Sequence, residues 1–202
     1  MKKVLLIALA SLSLSVGGAA LAAGDKAAGK TKSATCAACH GQDGNSINAE
    51  WPSLAGQNAD YIMKQLHDFK SGARVNATMS PMAAPLSDQD IEDLAAYFSS
   101  QVMKQGSADE TKVALGEAIF RGGNSASGVP ACAACHSPNG MGNPAAKFPR
   151  LAGQHAKYTV IQLNNFRKGD RANDAGNMMR NIAVKMTDAE IAAVAEYIAG
   201  LH

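Results

Sequence analysis

The sequence predicts an all-α protein made of two tandem units of about 90 residues, and three observations carry that prediction. The string C-A-A-C-H occurs at 36–40 and again at 132–136 and uses all four cysteines of the 202-residue chain. In that register Pro52-Ser53-Leu54-Ala55-Gly56-Gln57 returns as Pro149-Arg150-Leu151-Ala152-Gly153-Gln154. Trp51, Tyr61, Gln65, Phe69, Gly72, Arg74 and Asn76 then fall on Phe148, Tyr158, Gln162, Phe166, Gly169, Arg171 and Asn173, a constant offset of 97. After a three-residue insertion the offset is 100, and Met79, Ser87, Ile91 and Tyr97 meet Met179, Thr187, Ile191 and Tyr197. Finally, apolar residues recur at spacings of three and four behind helix-capping signals, and no segment sustains the period-two alternation of a half-buried strand.

The chain opens with a leader. Lys2 and Lys3 precede the apolar run Val4–Val16 and the small-residue end "GGAALAA", the three-part pattern of a cleaved export signal over residues 1–22. The run is short of the roughly 20 residues that span a bilayer. A first unit is expected over 23–103, with helices over Asp25–Ala38, Asn58–Lys70 and the segment "SDQDIEDLAAYFSSQV". Ser87 and Asp90 head this last helix as a capping box, and Ile91, Leu94, Ala95, Phe98 and Val102 form its apolar face. The polar stretch 104–111 reads as a linker. The second unit, 112–202, repeats the plan with Thr111–Arg121, His155–Lys168 and "TDAEIAAVAEYIAG", headed by Thr187 and Glu190. The segment "GGNSASGVP" at 122–130 has no counterpart in the first unit and reads as a surface loop. Units of this size hold little core of their own. The long connections 41–57, 71–86, 137–154 and 169–186 make sense if each unit wraps something large and apolar.

Charge excludes one class of function. Without Lys2 and Lys3 the chain holds 17 basic and 17 acidic residues, so no nucleic-acid partner is expected. Docking to a partner then depends on local patches.

Three chemistries could use C-A-A-C-H. A thioredoxin-like dithiol belongs in a βαβ setting, and no strands are predicted. Structural zinc needs four ligands, whereas each unit offers two Cys and one His with no further repeated Cys or His. Covalent haem uses every residue. Two thiols add to two vinyl groups, and the adjacent imidazole reaches the iron. Two copies in register make two haem c groups the expected cofactors. Cys36, Cys39, Cys132 and Cys135 are the attachment residues, and His40 and His136 are the proximal ligands. For the opposite axial position the repeat selects Met79 and Met179, the one pair of methionines that match each other. His67 falls opposite Asn164, His155 opposite Asn58, and His202 is unmatched. Met82 pairs with Ile182 and Met178 with Thr78. Thioether sulfur favours reduced iron, and an iron with both axial positions filled suits one-electron transfer.

With these motifs, and with "CHSPNGMGNP", "SDQDIEDLAAYF" and the C-terminal "YIAGLH", the chain resembles the dihaem cytochromes c4 of bacterial periplasms over its whole length beyond the leader. The resemblance implies two tandem class I cytochrome c domains related by a pseudo-twofold axis, with haem edges facing across the interface. It implies a periplasmic electron carrier, not an enzyme, with a quinol-oxidising complex as donor and a terminal oxidase as acceptor. Peripheral membrane association stays open. It also implies that the carbonyls of Pro52 and Pro149 accept from the ligand imidazoles. Tyr61, Tyr158, Arg74 and Arg171 read either as partners of haem propionates or as solvated helix ends. Trp51 and Phe148 read as packing on porphyrin or as core. The rival function is a dihaem peroxidase with one open iron, against which the matched methionines argue.

Overall fold

The computed structural model describes residues 24–202, so the leader expected over 1–22 lies outside the described residues. Among the described residues ten α-helices follow in two series of five. The first series is α1 (Lys26–Lys32), α2 (Ala37–His40), α3 (Ala59–Ser71), α4 (Met79–Ala83) and α5 (Asp88–Ser99). The second is α6 (Glu110–Gly122), α7 (Ala133–His136), α8 (Ala156–Lys168), α9 (Met178–Ala183) and α10 (Asp188–Gly200). Among the described residues no strand forms, only two isolated bridges, Asn124 with Val129 and Asn143 with Phe148. The architecture is two tandem all-α domains, as the sequence predicts.

Helix ends follow local chemistry. Both capping boxes form: Ser87 accepts from Asp90 N and Thr187 from Glu190 N, while each acidic side chain bonds the cap's own N–H. Helices α3 and α8 stop at Gly72 and Gly169, whose φ of 81° and 84° lie in the left-handed region that glycine enters without a Cβ penalty. The first helix of each unit differs from expectation. Helix α1 ends at Lys32 and passes through a 3₁₀ turn at Ser33–Thr35 before α2, in place of one helix to Ala38. Helix α6 begins at Glu110, inside the stretch read as linker, because the Asp109 side chain caps it through Thr111 N. Val102 is also misplaced by the periodic reading. Helix α5 ends at Ser99, Val102 is 83 % exposed, and Met103 is buried instead. Two of the long connections contain short helices, α4 and α9, which carry the matched methionines.

Each series closes on its own core. In the first, Ile62, Leu94, Ala95, Tyr97 and Phe98 cluster, with Cys36, Leu54 and Leu66 packed against them. The second is larger, with Ile119, Phe120, Val129, Leu163, Met186, Ile191, Val194, Ile198 and Leu201 among its members. In both, the first helix crosses the last at a glycine. A Cβ on Gly29 would lie 2.0 Å from Asp93 O, and one on Gly116 would lie 2.2 Å from Ala193 O. The insertion at 122–130 is more than a surface loop. It buries Val129 in the second core, and Asn124 Nδ2 donates to Glu190 Oε1 at 2.7 Å. Its anchors tie the loop to the start of α10 and to Lys185, which donates to Gly128 O.

Candidate haem-binding sites

Each C-A-A-C-H folds as a single helical turn. His40 N bonds Cys36 O at 3.0 Å and His136 N bonds Cys132 O at 2.9 Å, so the first cysteine and the histidine stand one turn apart on the same side. No disulfide joins the four cysteines. Burial raises the Cys36 pKa and pushes that of Cys132 up to about 11, opposite to the depressed values of reactive dithiols. Among the described residues no three His, Cys, Asp or Glu side chains converge as a metal cluster.

The two histidines are held alike. His40 is 6 % exposed with Nδ1 2.8 Å from Pro52 O, and His136 is 7 % exposed with Nδ1 3.0 Å from Pro149 O. Burial lowers the pKa of both rings, and the bond to the proline carbonyl opposes it only in part. Each ring is therefore neutral, with the proton on Nδ1 facing the carbonyl and the Nε2 lone pair left for a metal. These residues fit an axial imidazole of haem.

The proline loops are fixed by glycines in matching positions that sequence reasoning passed over. Gly44 O accepts from Leu54 N and Ala55 N, and Gly140 O accepts from Leu151 N and Ala152 N. With φ of 78° and 68°, both bends favour glycine, and a Cβ on Gly44 would stand 2.8 Å from Ala55 N. Their common place in the repeat was the available signal.

The matched methionines are both half-buried, Met79 at the start of α4 and Met179 one residue into α9. Unmatched Met82 and Met178 are exposed. Asn76 Oδ1 receives Thr78 N and Met79 N in the first unit. In the second, Asp174 receives Arg180 N and Arg180 Nε. The other histidines are engaged elsewhere. His155 Nε2 lies 2.9 Å from Ser46 O, His202 bonds Gly200 O, and His67 faces Asp88 at 3.9 Å. Trp51 is 41 % exposed and so belongs to neither protein core, and the Phe148 ring lies 6.1 Å from that of His136.

Tyr61, Tyr158, Arg74 and Arg171 are not solvated helix ends. They meet across the boundary between the two units. Arg74 Nη2 donates to Gln162 Oε1 at 2.8 Å and to Tyr158 OH at 3.3 Å, and Arg171 Nη2 donates to Tyr61 OH at 2.9 Å and Gln65 Oε1 at 3.2 Å. Each guanidinium also covers its own unit's phenylalanine, Phe69 at 4.6 Å and Phe166 at 4.4 Å. Burial disfavours charge on Arg171, but the phenol oxygens of Tyr61 and Tyr158, the hydrogen bond to Tyr61 and the nearby Asp174 carboxylate together hold its pKa above the ordinary value. The hydrogen-bond partners of both arginines among the described residues are neutral side chains. Two interface cations with neutral partners are a fit for the carboxylates that haem carries.

A second reciprocal set lies beside the first. Gln57 reaches the backbone of Arg150, and Gln154 reaches the backbone of Ser53, each with one bond given and one received. Asn58 and His155, which match in the repeat, also cross the boundary, though to unmatched carbonyls, Phe148 O and Ser46 O. Residue i of one unit meeting j of the other, and j meeting i, is the signature of a twofold arrangement.

Comparison with known proteins agrees with this picture. Residues 26–101 and 113–202 each match the cytochrome c family model. The chain is 52 % identical over 203 residues to cytochrome c4 of Pseudomonas aeruginosa, with all of both chains covered. The crystal structure of reduced recombinant cytochrome c4 from Pseudomonas stutzeri superposes with a TM-score of 0.87 at 50 % identity, covering 89 % of this chain and 100 % of that one. A thiosulfate dehydrogenase electron acceptor of Stutzerimonas stutzeri is 44 % identical over 170 residues, 82 % of this chain and 78 % of that protein. The tandem domains, the doubled haem motifs and full-length identity near one half place the chain in the cytochrome c4 family, dihaem electron-transfer cytochromes c.

Proposed function

We propose that Cys36 and Cys39 hold one haem c and Cys132 and Cys135 the other, with His40 and Met79, and His136 and Met179, as the axial ligands. The reading is carried by the repeated histidine–proline bond, which buries a neutral imidazole beside each cysteine pair with Nε2 free for iron. A haem so held supplies a one-electron couple. The protein supplies the rest. Proline carbonyls fix ring orientation and donor strength, the buried cores exclude water, and Arg74 and Arg171 offer charge to the propionates. Held by His40 and Met79, and by His136 and Met179, both irons would be closed to substrate, which favours a carrier over a peroxidase.

The carrier acts in the periplasm, accepts electrons from a quinol-oxidising complex and passes them towards a terminal oxidase. No helix among the described residues is long and apolar enough to cross a membrane. A second donor class is favoured by one comparison. The similarity to a thiosulfate dehydrogenase electron acceptor supports entry of electrons from a thiosulfate-oxidising enzyme. Stopped-flow reduction by each donor separates the two.

The ligand set is tested by spectrum and potential. Oxidised protein should show low-spin bands and a weak Met–Fe(III) charge-transfer band at the red end of the visible spectrum. Met179→His should abolish half of that band and lower the potential of the second haem. An unchanged spectrum and potential would strike Met179 from the ligands.

A further inference from the structure

The reciprocal glutamine contacts fall on two particular peptide groups. The carbonyl of Pro52, which accepts from His40 Nδ1, shares its peptide unit with the N–H of Ser53. That N–H donates to Gln154 Oε1 at 3.0 Å, and Gln154 Nε2 donates back to Ser53 O at 2.9 Å. In the other unit the carbonyl of Pro149 accepts from His136 Nδ1, and its partner N–H, on Arg150, donates to Gln57 Oε1 at 2.8 Å. Gln57 Nε2 returns a bond to Arg150 O at 2.9 Å. Ser53, Gln57 and Gln154 are buried, so water does not compete for these bonds. Each histidine therefore ends a chain that runs through one conjugated peptide group to a side chain of the opposite domain.

Such a chain carries polarisation. Amide resonance couples the N–H to the carbonyl oxygen, and an acceptor on the N–H makes that oxygen more negative, as in other hydrogen-bond chains. The carbonyl then pulls harder on the Nδ1 proton, and Nε2 becomes a stronger donor to metal. A stronger donor favours the oxidised iron. We propose that Gln154 of the second domain tunes the iron held by His40, and that Gln57 of the first domain tunes the iron held by His136. The inference rests on His40 and His136 being the axial ligands. The glutamines are positioning residues, acting through the peptide and the imidazole. The potential of each domain then depends on being docked to the other, and separation of the two would raise both.

Crossed substitutions in the two-haem protein test this, with each potential followed by spectroelectrochemistry and each imidazole N–H by NMR. Gln154→Met removes the acceptor at similar volume. It should raise the potential of the haem at Cys36 and Cys39 and move the His40 Nδ1–H resonance upfield, with the other haem unmoved. Gln57→Met should give the mirror image. Gln154→Glu keeps an acceptor and makes it anionic, so the first haem should shift downward and more than the second. Asn58→Ala, which loosens the same interface at Phe148 O, should move neither imidazole proton. Shifts in the substituted domain's own haem, equal shifts in both, or none in a folded variant would overturn the relay. A wild-type spectrum without His/Met bands would instead remove the ligand assignment beneath it.

Discussion

Gly116→Ala sets two well-measured effects against each other. Helix propensity favours alanine over glycine in a helix interior by about 1 kcal/mol, and Gly116 lies mid-way along α6. Geometry opposes this. The added Cβ would stand 2.2 Å from Ala193 O and 2.7 Å from Tyr197 Cβ, where ordinary contact begins at 3.4 Å. One of these atoms is main chain of α10 and the other is fixed to it, so no side-chain rotation relieves the overlap. The helices must separate by about 1 Å, and overpacking that moves backbone costs about 1–3 kcal/mol. The shift also opens the dispersion contacts along the most extensive helix pair of the second domain. Sterics should win, with a net loss of up to about 2 kcal/mol. Gly122→Ala in the same helix is the control, since nothing lies within 4 Å of its Cβ, and it should be neutral or slightly stabilising. Urea unfolding of the haem-loaded protein, followed by far-ultraviolet circular dichroism, reads both. A Gly116→Ala midpoint at or above wild type would refute the close-crossing account of this fold.

Two further outcomes follow from the charges. Lys32 bridges Asp90 and Asp93 where α1 meets α5, and its ammonium holds both carboxyls below the usual range. Groups with a depressed folded pKa stabilise fully above their unfolded value near 4, and that stability is lost as pH falls through the folded values. Lys32→Met should thus be less stable than wild type at pH 7, with the difference shrinking steadily as pH falls below about 4; a gap that does not shrink in acid titration would contradict this. Arg171→Met removes a buried positive charge from the domain boundary, which should lower both haem potentials by voltammetry, and an unchanged pair would place the guanidinium away from the irons.

What was legible in the sequence was whatever the duplication repeats. The helix caps at Ser87 and Thr187, the two cysteine pairs and the proline acceptors stand at fixed offsets, and each depends on local chemistry that a short window contains. Breaks in helices were less legible. The 3₁₀ turn at Ser33–Thr35 and the early end of α5 have no Gly or Pro to announce them, and both arise from how the chain must turn to enter α2 or to bury Met103. Least legible were contacts between domains. Arg74, Arg171, Gln57 and Gln154 were visible as repeated residues, but a repeat within one chain cannot say that a residue's partner lies in the other copy.

That ambiguity has a physical source, and it bears on what the two copies do for each other. In a duplicated chain, selection for a reciprocal interface and for two identical sites leaves the same mark, a matched residue. They separate only where the copies diverge. Asn76 keeps its side chain at home and orders the start of the Met79 helix, whereas Asn173 crosses over and donates to Gln65 and Asp68 of the first domain. The three-residue insertion follows Asn173, and Asp174 takes over the task of ordering the Met179 loop through Arg180. The first domain therefore builds its methionine loop from the residue that the second spends on the interface. Two haem sites are thus given unlike methionine loops, and unlike loops are what allow their potentials to differ.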